Sequence, residues 1–317
     1  MTAVLVALLL FGAALETASA QVPYPNRPIR IVVPFGPGGF ADITMRLAGQ
    51  GLSERTGQQV VIENRPSGVV PAEIVVKAAP NGYTLLFYNN ALWTAPLIQA
   101  TPYDMLRDFA PVTLVAMIAN LLVVHPSLPA KSLAEFVRLA KSRPGMINYA
   151  SGGYGSSGHL AIELFRKFTH IELVHVPYKS GGLVATALLA GEVDVSFNTI
   201  PSLITYVKAG RLRTLGVSTP QRSLSLPEVP TIAEQGYPGF SASGLAGIVA
   251  PAGTPPDAVD KIQKEVAVLL KQPALVERFV TLGLEPVGNT PAEFDKFIRA
   301  DLDKWTQLTR ELKITLQ

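Results

Sequence analysis

Val32-Val33-Pro34-Phe35-Gly36-Pro37-Gly38-Gly39-Phe40-Ala41-Asp42 reads as a strand, a glycine turn and the start of a helix. The β-branched run favours extended backbone. The glycines let the chain turn tightly and come close to a ligand. The helix beyond them offers unpaired N–H groups and the positive end of a dipole. The pattern returns at Asn148-Tyr149-Ala150-Ser151-Gly152-Gly153-Tyr154-Gly155-Ser156-Ser157-Gly158-His159. One such turn is a weak signal for an anion site. Two of them, about a hundred residues apart, suggest a small anion gripped from both sides.

Outward from these turns, strand and helix signals alternate, which predicts an α/β fold. Strands are predicted at 29–34, 60–63, 83–88, 121–124, 147–150, 173–176 and 214–218, with an alternating pattern at Val193, Val195 and Phe197. Helices are predicted at 42–55, 72–79, 159–167, 183–190 and 203–209. Ser132-Leu133-Ala134-Glu135 is a capping box opening a helix with Leu133, Phe136, Val137 and Ala140 on one face. Thr231 to Glu234 is another. Thr254-Pro255-Pro256-Asp257 and Thr290-Pro291-Ala292-Glu293 open two further helices, the last carrying Phe294, Phe297, Ile298, Leu302 and Trp305.

The chain has 317 residues, 48% of them hydrophobic and 16% charged, which suits two globular lobes and no disordered region. The formal charge of +3 is spread along the chain with no basic run, so nucleic acid is not an expected partner. There is no cysteine, which excludes disulfides and thiolate chemistry. The four histidines show no helical pairing, and no metal site is expected. Residues 1–20 read as a secretory leader: an apolar run from Ala3 to Leu15, then Ala18-Ser19-Ala20 as the cleavage pattern, although no Lys or Arg precedes the run. Apolar segments near 119–125 and 242–250 suit two crossings between lobes. The predicted division is 21–121 plus 246–317 for the first lobe and 122–245 for the second, with a ligand cleft between them.

At this point the motifs resemble one family, the periplasmic substrate-binding receptors of tripartite tricarboxylate transporters, also called Bug receptors. The resemblance rests on Tyr24-Pro25, on Pro28 to Phe35 with Pro37-Gly38-Gly39 and Asp42, on Val61-Ile62-Glu63-Asn64-Arg65-Pro66, on Ala78 with Pro80-Asn81-Gly82-Tyr83-Thr84-Leu85, on Asp108-Phe109-Ala110-Pro111-Val112 and on Leu133-Ala134-Glu135-Phe136. Asn148-Tyr149-Ala150-Ser151, His175-Val176-Pro177-Tyr178-Lys179, Leu226-Pro227 with Val229-Pro230-Thr231, and Val249 to Pro255 continue it through the chain. It implies a two-lobed type II periplasmic binding protein, each lobe a mixed sheet flanked by helices, that closes like a Venus flytrap on a small carboxylate. It also implies no cofactor and no enzymatic activity, a monomer, and membrane permease subunits as partners. The ligand residues it implies are Phe35, Gly38, Gly39, Phe40, Ala41 and Asp42 in the first turn and Ser151, Gly155, Ser156 and Ser157 in the second, with Asn90 and Asn198 at strand ends.

Departures from the family pattern bear on the ligand. Phe40-Ala41 replaces a Ser/Thr-rich pair, Ser67-Gly68-Val69-Val70-Pro71 replaces a glycine-rich stretch, and Asn198 stands where an aspartate is common. These favour a carboxylate without an amino group, aromatic or otherwise apolar. Other readings of single residues remain beside this one. Asp42 fits a helix cap better than a ligand contact, and Ser156 and Ser157 fit both equally. Asn89, Asn90 and Asn198 suit turns as well as ligand. His159 reads as structural, and Trp93 suits stacking on ligand and packing between lobes alike. Replacing Ser156 and Ser157 together with Leu is expected to abolish binding without unfolding. The rival function is a dinucleotide-binding exported enzyme, because Gly153 to Gly158 fits G-x-G-x-x-G with Glu172 following. However, Glu172 precedes the next strand, whereas a ribose-binding acid belongs at its end. A receptor that signals to a membrane sensor is a third reading.

Overall fold

The structure, a computed structural model, describes residues 23–34, 40–65 and 69–312. The predicted leader therefore lies outside the described residues, as do Phe35, Gly38, Gly39 and the side chain of Phe40. In chain order the elements are β1 (Ile29–Val33), α1 (Phe40–Thr56), β2 (Val60–Asn64), α2 (Val70–Val76), β3 (Thr84–Asn89), α3 (Ala91–Thr94), α4 (Met105–Asp108), β4 (Phe109–Ile118) and β5 (Asn120–Val124). There follow α5 (Leu133–Ser142), β6 (Asn148–Ser151), α6 (Ser157–Thr169), β7 (Val174–Pro177), α7 (Gly181–Ala190), β8 (Val195–Thr199), α8 (Ile200–Lys208) and β9 (Arg213–Val217). The last are β10 (Gly244–Pro251), α9 (Pro256–Leu269), α10 (Pro273–Thr281), β11 (Leu284–Pro286) and α11 (Pro291–Leu312).

Two mixed sheets result, ordered β11-β4-β10-β3-β1-β2 and β7-β6-β8-β5-β9. In the first, β1 runs parallel to β2 and β3, while β10 lies antiparallel between β3 and β4. In the second, β6 runs parallel to β7 and β8, and β5 lies antiparallel between β8 and β9. Helices cover both faces of each sheet and bury four apolar clusters, two per sheet. Such two-sided burial is why the strands read as continuous apolar runs.

The connections decide where the site is. Only Ala119 separates the end of β4 from the start of β5, so the chain steps directly from one sheet into the other. It returns beside this point. The Ala242 N–H donates to the Ser218 carbonyl in the second lobe at 2.8 Å, and Gly244 already pairs with Ile118 in the first sheet. Both crossings fall within the predicted segments. β4 ends and β10 starts at this edge of the first sheet; β5 starts and β9 ends at this edge of the second. The strand directions then bring the carboxyl ends of β1, β2, β3, β6, β7 and β8 to the crossing edges, with the helix starts that follow them. Open α/β sheets bind ligands at this end.

Several sequence readings need correction. β4, ten residues long, is not predicted, because Pro111 interrupts its pattern and every second position is not polar. The proline is accommodated opposite Val249 beside a register shift, as expected of proline in a sheet. α10 is likewise not predicted. Thr254 does not cap α9: its hydroxyl donates back to the Pro251 carbonyl, and Pro255 holds the cap position. α1 starts at Phe40, so Asp42 lies within its first turn and not at the cap, where it pairs with Arg46 at 2.9 Å. Phe297 is exposed, unlike Phe294, Ile298 and Trp305 of the same helix.

α11 is shared between the cores. Phe294 and Ile298 pack under the first sheet, whereas Trp305 and Leu308 belong to the cluster of the second. An ion pair between Lys167 on α6 and Glu311 ties its far end to the second lobe.

Candidate functional site

Three helices start at the carboxyl edge of the second sheet. Ser156 caps α6 by accepting from the His159 N–H at 3.3 Å. Ser180 caps α7 by accepting from the Leu183 N–H at 3.3 Å. Thr199 holds the cap position of α8, with Pro201 in its first turn. The turn at Ser180-Gly181-Gly182 was missed from sequence because the helix was read as starting at Leu183. Its signal, a serine with two glycines between a strand and a helix, resembles that of the second glycine turn.

The second glycine turn is internally satisfied. Ser151 is fully buried, and its hydroxyl lies 3.2 Å from the Gly153 carbonyl and N–H and 2.7 Å from His175 Nε2. Gly155 has φ +71°, a conformation that favours glycine. Its N–H donates to His159 Nδ1 at 3.2 Å. Ser157 is buried, and its hydroxyl donates to Asn120 Oδ1 at 3.2 Å. Asn120 in turn donates to the Ala242 carbonyl at 3.2 Å, so one side chain joins the turn to both crossings. Asn198 donates to the Gly181 carbonyl and accepts from the Thr199 N–H, each at 2.8 Å, and so holds the α7 and α8 starts together.

A ring stack backs this turn. Tyr149 and His159 each stack on His175 with centroids 4.6 Å away, and Tyr154 stands edge-on to both histidines. Burial drives both imidazoles down to about 4, and for His175 the adjacent His159 adds to the effect. Each ring is thereby kept neutral and able to accept a hydrogen bond. Burial also pushes the Tyr149 phenol up, helped by Glu163, which accepts its proton at 2.6 Å. His159 is structural, as expected.

On the first sheet, Asn89 ends β3 and its side chain accepts from the Ala91 N–H at 3.2 Å. Asn90 is fully buried, and neither of its amide atoms makes a hydrogen bond of normal geometry. This is unusual, since buried polar groups are nearly always paired. Next to it the Thr94 hydroxyl donates to the Asn90 carbonyl at 2.9 Å and reaches the Gly155 carbonyl of the facing lobe at 3.4 Å. Strand ends of the two sheets therefore meet at Asn90, Thr94 and Gly155. Trp93 packs edge-on against Phe294 and is a core residue. Ala41 packs into the first sheet's core, so its methyl group does not face the opposite lobe. Asp42 is buried one residue further along α1. Of the sequence-predicted residues, Ser151, Gly155, Ser156, Ser157 and Asn198 share one edge and Asn90 faces them.

Two cavities lie elsewhere, one of about 330 Å³ beside Arg27, Arg30 and Tyr83 and one of about 550 Å³ between α1 and α10. Among the described residues, no group of three or more histidines and acids could hold a metal ion. Glu172 is exposed just before β7, at the end opposite the glycine turn.

The model of the tripartite tricarboxylate transporter family receptor matches residues 44–314. The chain belongs to this family. Its receptors are periplasmic solute-binding proteins. The chain is 35% identical to the protein BugT of Bordetella pertussis over 314 residues, 96% of each chain. It is similar to a solved Rhodopseudomonas palustris protein with adipate, at 33% identity and TM-score 0.86, covering 91% of this chain and 98% of that one. A second R. palustris structure, MatC with bound malate, matches at 28% identity and TM-score 0.82, over 90% and 99% of the two chains. Among the described residues no helix is long and apolar enough to cross a membrane.

Proposed function

We propose that this receptor captures a small organic carboxylate between its lobes in the periplasm and delivers it to a permease of the tripartite tricarboxylate type. The observation that carries the reading is the opposition of strand ends, with the Thr94 hydroxyl reaching the Gly155 carbonyl from the facing lobe. Helix starts on both sides offer N–H groups to one anion, and Asn90 adds a buried amide that makes no hydrogen bond of normal geometry. Charge-assisted hydrogen bonds are about twice as strong as neutral ones. Several of them supply the ~8 kcal/mol of a micromolar complex.

Residues 1–20 serve as the export leader in this proposal. The lobes divide at the crossings near Ala119 and Ser243, a residue or two from the expected bounds of 121/122 and 245/246, because β5 already starts at Asn120 and β10 at Gly244; they close by hinge motion there. The protein works as a monomer and is not an enzyme. Its ligand contacts come from Phe35, Gly38, Gly39 and Phe40 in the first turn, from the second turn, and from Asn90. Asn198 acts by holding the α7 start. With no carboxylate there to pair with an ammonium group, the preferred ligand lacks an amine. The adipate and malate of the two R. palustris structures are acids of that kind.

A thermal-shift screen of aliphatic and aromatic mono-, di- and tricarboxylates, with amino acids and NAD as controls, tests this. A ligand at a hundred times its Kd adds about 2.7 kcal/mol of stability. Stabilisation by NAD alone would reverse the assignment, and tightest binding of an amino acid would remove the amine-free preference.

A further inference from the structure

The chain has two tryptophans, and they sit in different cores. Trp93 is buried under the first sheet with Leu86, Tyr88 and Phe294, and Trp305 under the second with Leu122 and Phe197. Both nevertheless donate to one carboxylate. Trp93 Nε1 lies 2.9 Å from Oδ2 of Asp301, and Trp305 Nε1 lies 2.8 Å from Oδ1. Asp301 stands where α11 leaves the first core and enters the second. One turn further on, Lys304 donates to the Ser241 carbonyl, just before the chain crosses back into β10. Burial raises the Asp301 pKa above the usual carboxylate range, while the Trp93 indole, Lys304, the Trp305 indole and Asn90, which hydrogen-bonds the same carboxylate, act the other way.

Besides the two crossings at Ala119 and Ser243, helix α11 is a third connection between the two cores. A carboxylate with one hydrogen bond on each oxygen fixes both indoles at once. A buried indole N–H that loses its acceptor pays its desolvation in full, so neither arm releases freely.

We propose that Asp301 is a positioning residue for ligand capture: it pins Trp93 to Trp305 and thereby sets how far the Asn90–Thr94 segment stands from the second glycine turn. The effect on affinity rests on the receptor reading above; the pin itself does not.

The experiment compares the full-length wild-type chain with Asp301→Leu, which removes both acceptors, Asp301→Asn, which leaves one charge-free acceptor, and Trp93→Phe, which cuts the first-lobe arm. Small-angle scattering and tryptophan emission are recorded without ligand, then adipate and malate are titrated by calorimetry. Expected results are a larger radius of gyration and a shifted emission maximum in Asp301→Leu. Affinity for whichever acid the wild type binds should fall tenfold or more in Asp301→Leu, and by less in Asp301→Asn and Trp93→Phe. If Asp301→Leu does not fold, the two milder variants carry the comparison. Wild-type scattering and wild-type affinity in folded Asp301 variants would overturn the pin. A wild type that binds neither acid counts against those probes as ligands, while scattering still decides the pin.

Discussion

The two facing edges of this receptor handle their polar groups in opposite ways. On the second sheet every predicted site side chain is spent: Ser151 on its own turn and His175, Ser156 on the helix cap, Ser157 on Asn120, Asn198 on two backbone groups. On the first sheet Asn90 is just as buried and spends nothing at normal hydrogen-bond geometry. The spent edge is a scaffold that presents backbone N–H groups in fixed directions. The unspent amide holds unsatisfied bonding capacity that a ligand or a water can use. Rigidity and appetite are thus divided between the lobes.

The scaffold is broken most severely at Gly158. A Cβ there would lie 2.2 Å from the Phe197 carbonyl, so α6 has to move off β8. Gly158→Ala is expected to cost about 3 kcal/mol or more by overpacking and to abolish acid binding, measured by urea melts and calorimetry. A variant within 1 kcal/mol of wild type would show that the turn is not held as tightly as its contacts indicate.

A paired substitution tests the division itself. Asn90→Leu removes one of several groups around the Asp301 carboxylate, which keeps both indole donors, so stability should fall by only about 1 kcal/mol, while affinity falls about tenfold, or ~1.4 kcal/mol. Asn198→Leu strands the Gly181 carbonyl and the Thr199 N–H and should cost about 2–3 kcal/mol of stability. Equal losses of stability in the two variants would erase the distinction.

The ring stack gives the scaffold a pH signature. His159 and His175 titrate near 4 when folded, against 6.5 in the unfolded chain. Between these values the unfolded state binds more protons, so stability should rise from pH 4 to pH 6.5 and level off above it. His159 is buried, whereas His175 is only partly buried and contributes a screened share. A combined effect on the order of 3 kcal/mol is expected. Denaturation midpoints at pH 4.5 and 7 measure it, and His159→Asn with His175→Gln should flatten the profile.

Much of this architecture could be read from sequence, and the gaps have physical causes. The second glycine turn, both crossings and the helix faces came from local pattern, because glycine, caps and periodicity act over a few residues; the first glycine turn lies outside the described residues. β4 was invisible because it is buried on both faces and carries Pro111 at a register shift, which is tertiary context. The roles of Ser157, Asn120 and Asp301 depend on partners between 37 and 208 residues away, and no local pattern encodes those. The expectation that Leu at Ser156 and Ser157 leaves the fold intact has to reckon with such a partner. Ser157 is 8% exposed and bonded at the crossing, so Leu there overpacks the hinge.

What sequence left balanced, cap against ligand contact at Ser156, is settled by the smallest of these effects. Ser156 and Ser180 do the same structural work: each accepts from the N–H three residues on, at 3.3 Å, at the start of a helix on the same sheet edge. Ser156→Ala and Ser180→Ala should therefore each lower stability by about 1 kcal/mol. If both serines only cap, the two variants lose affinity alike, in proportion to that loosening. If the Ser156 hydroxyl also meets the carboxylate, its variant loses a further 1.5–3 kcal/mol of binding that Ser180→Ala retains. Calorimetry on the two variants side by side thus separates a helix start that merely begins a helix from one that also holds the anion.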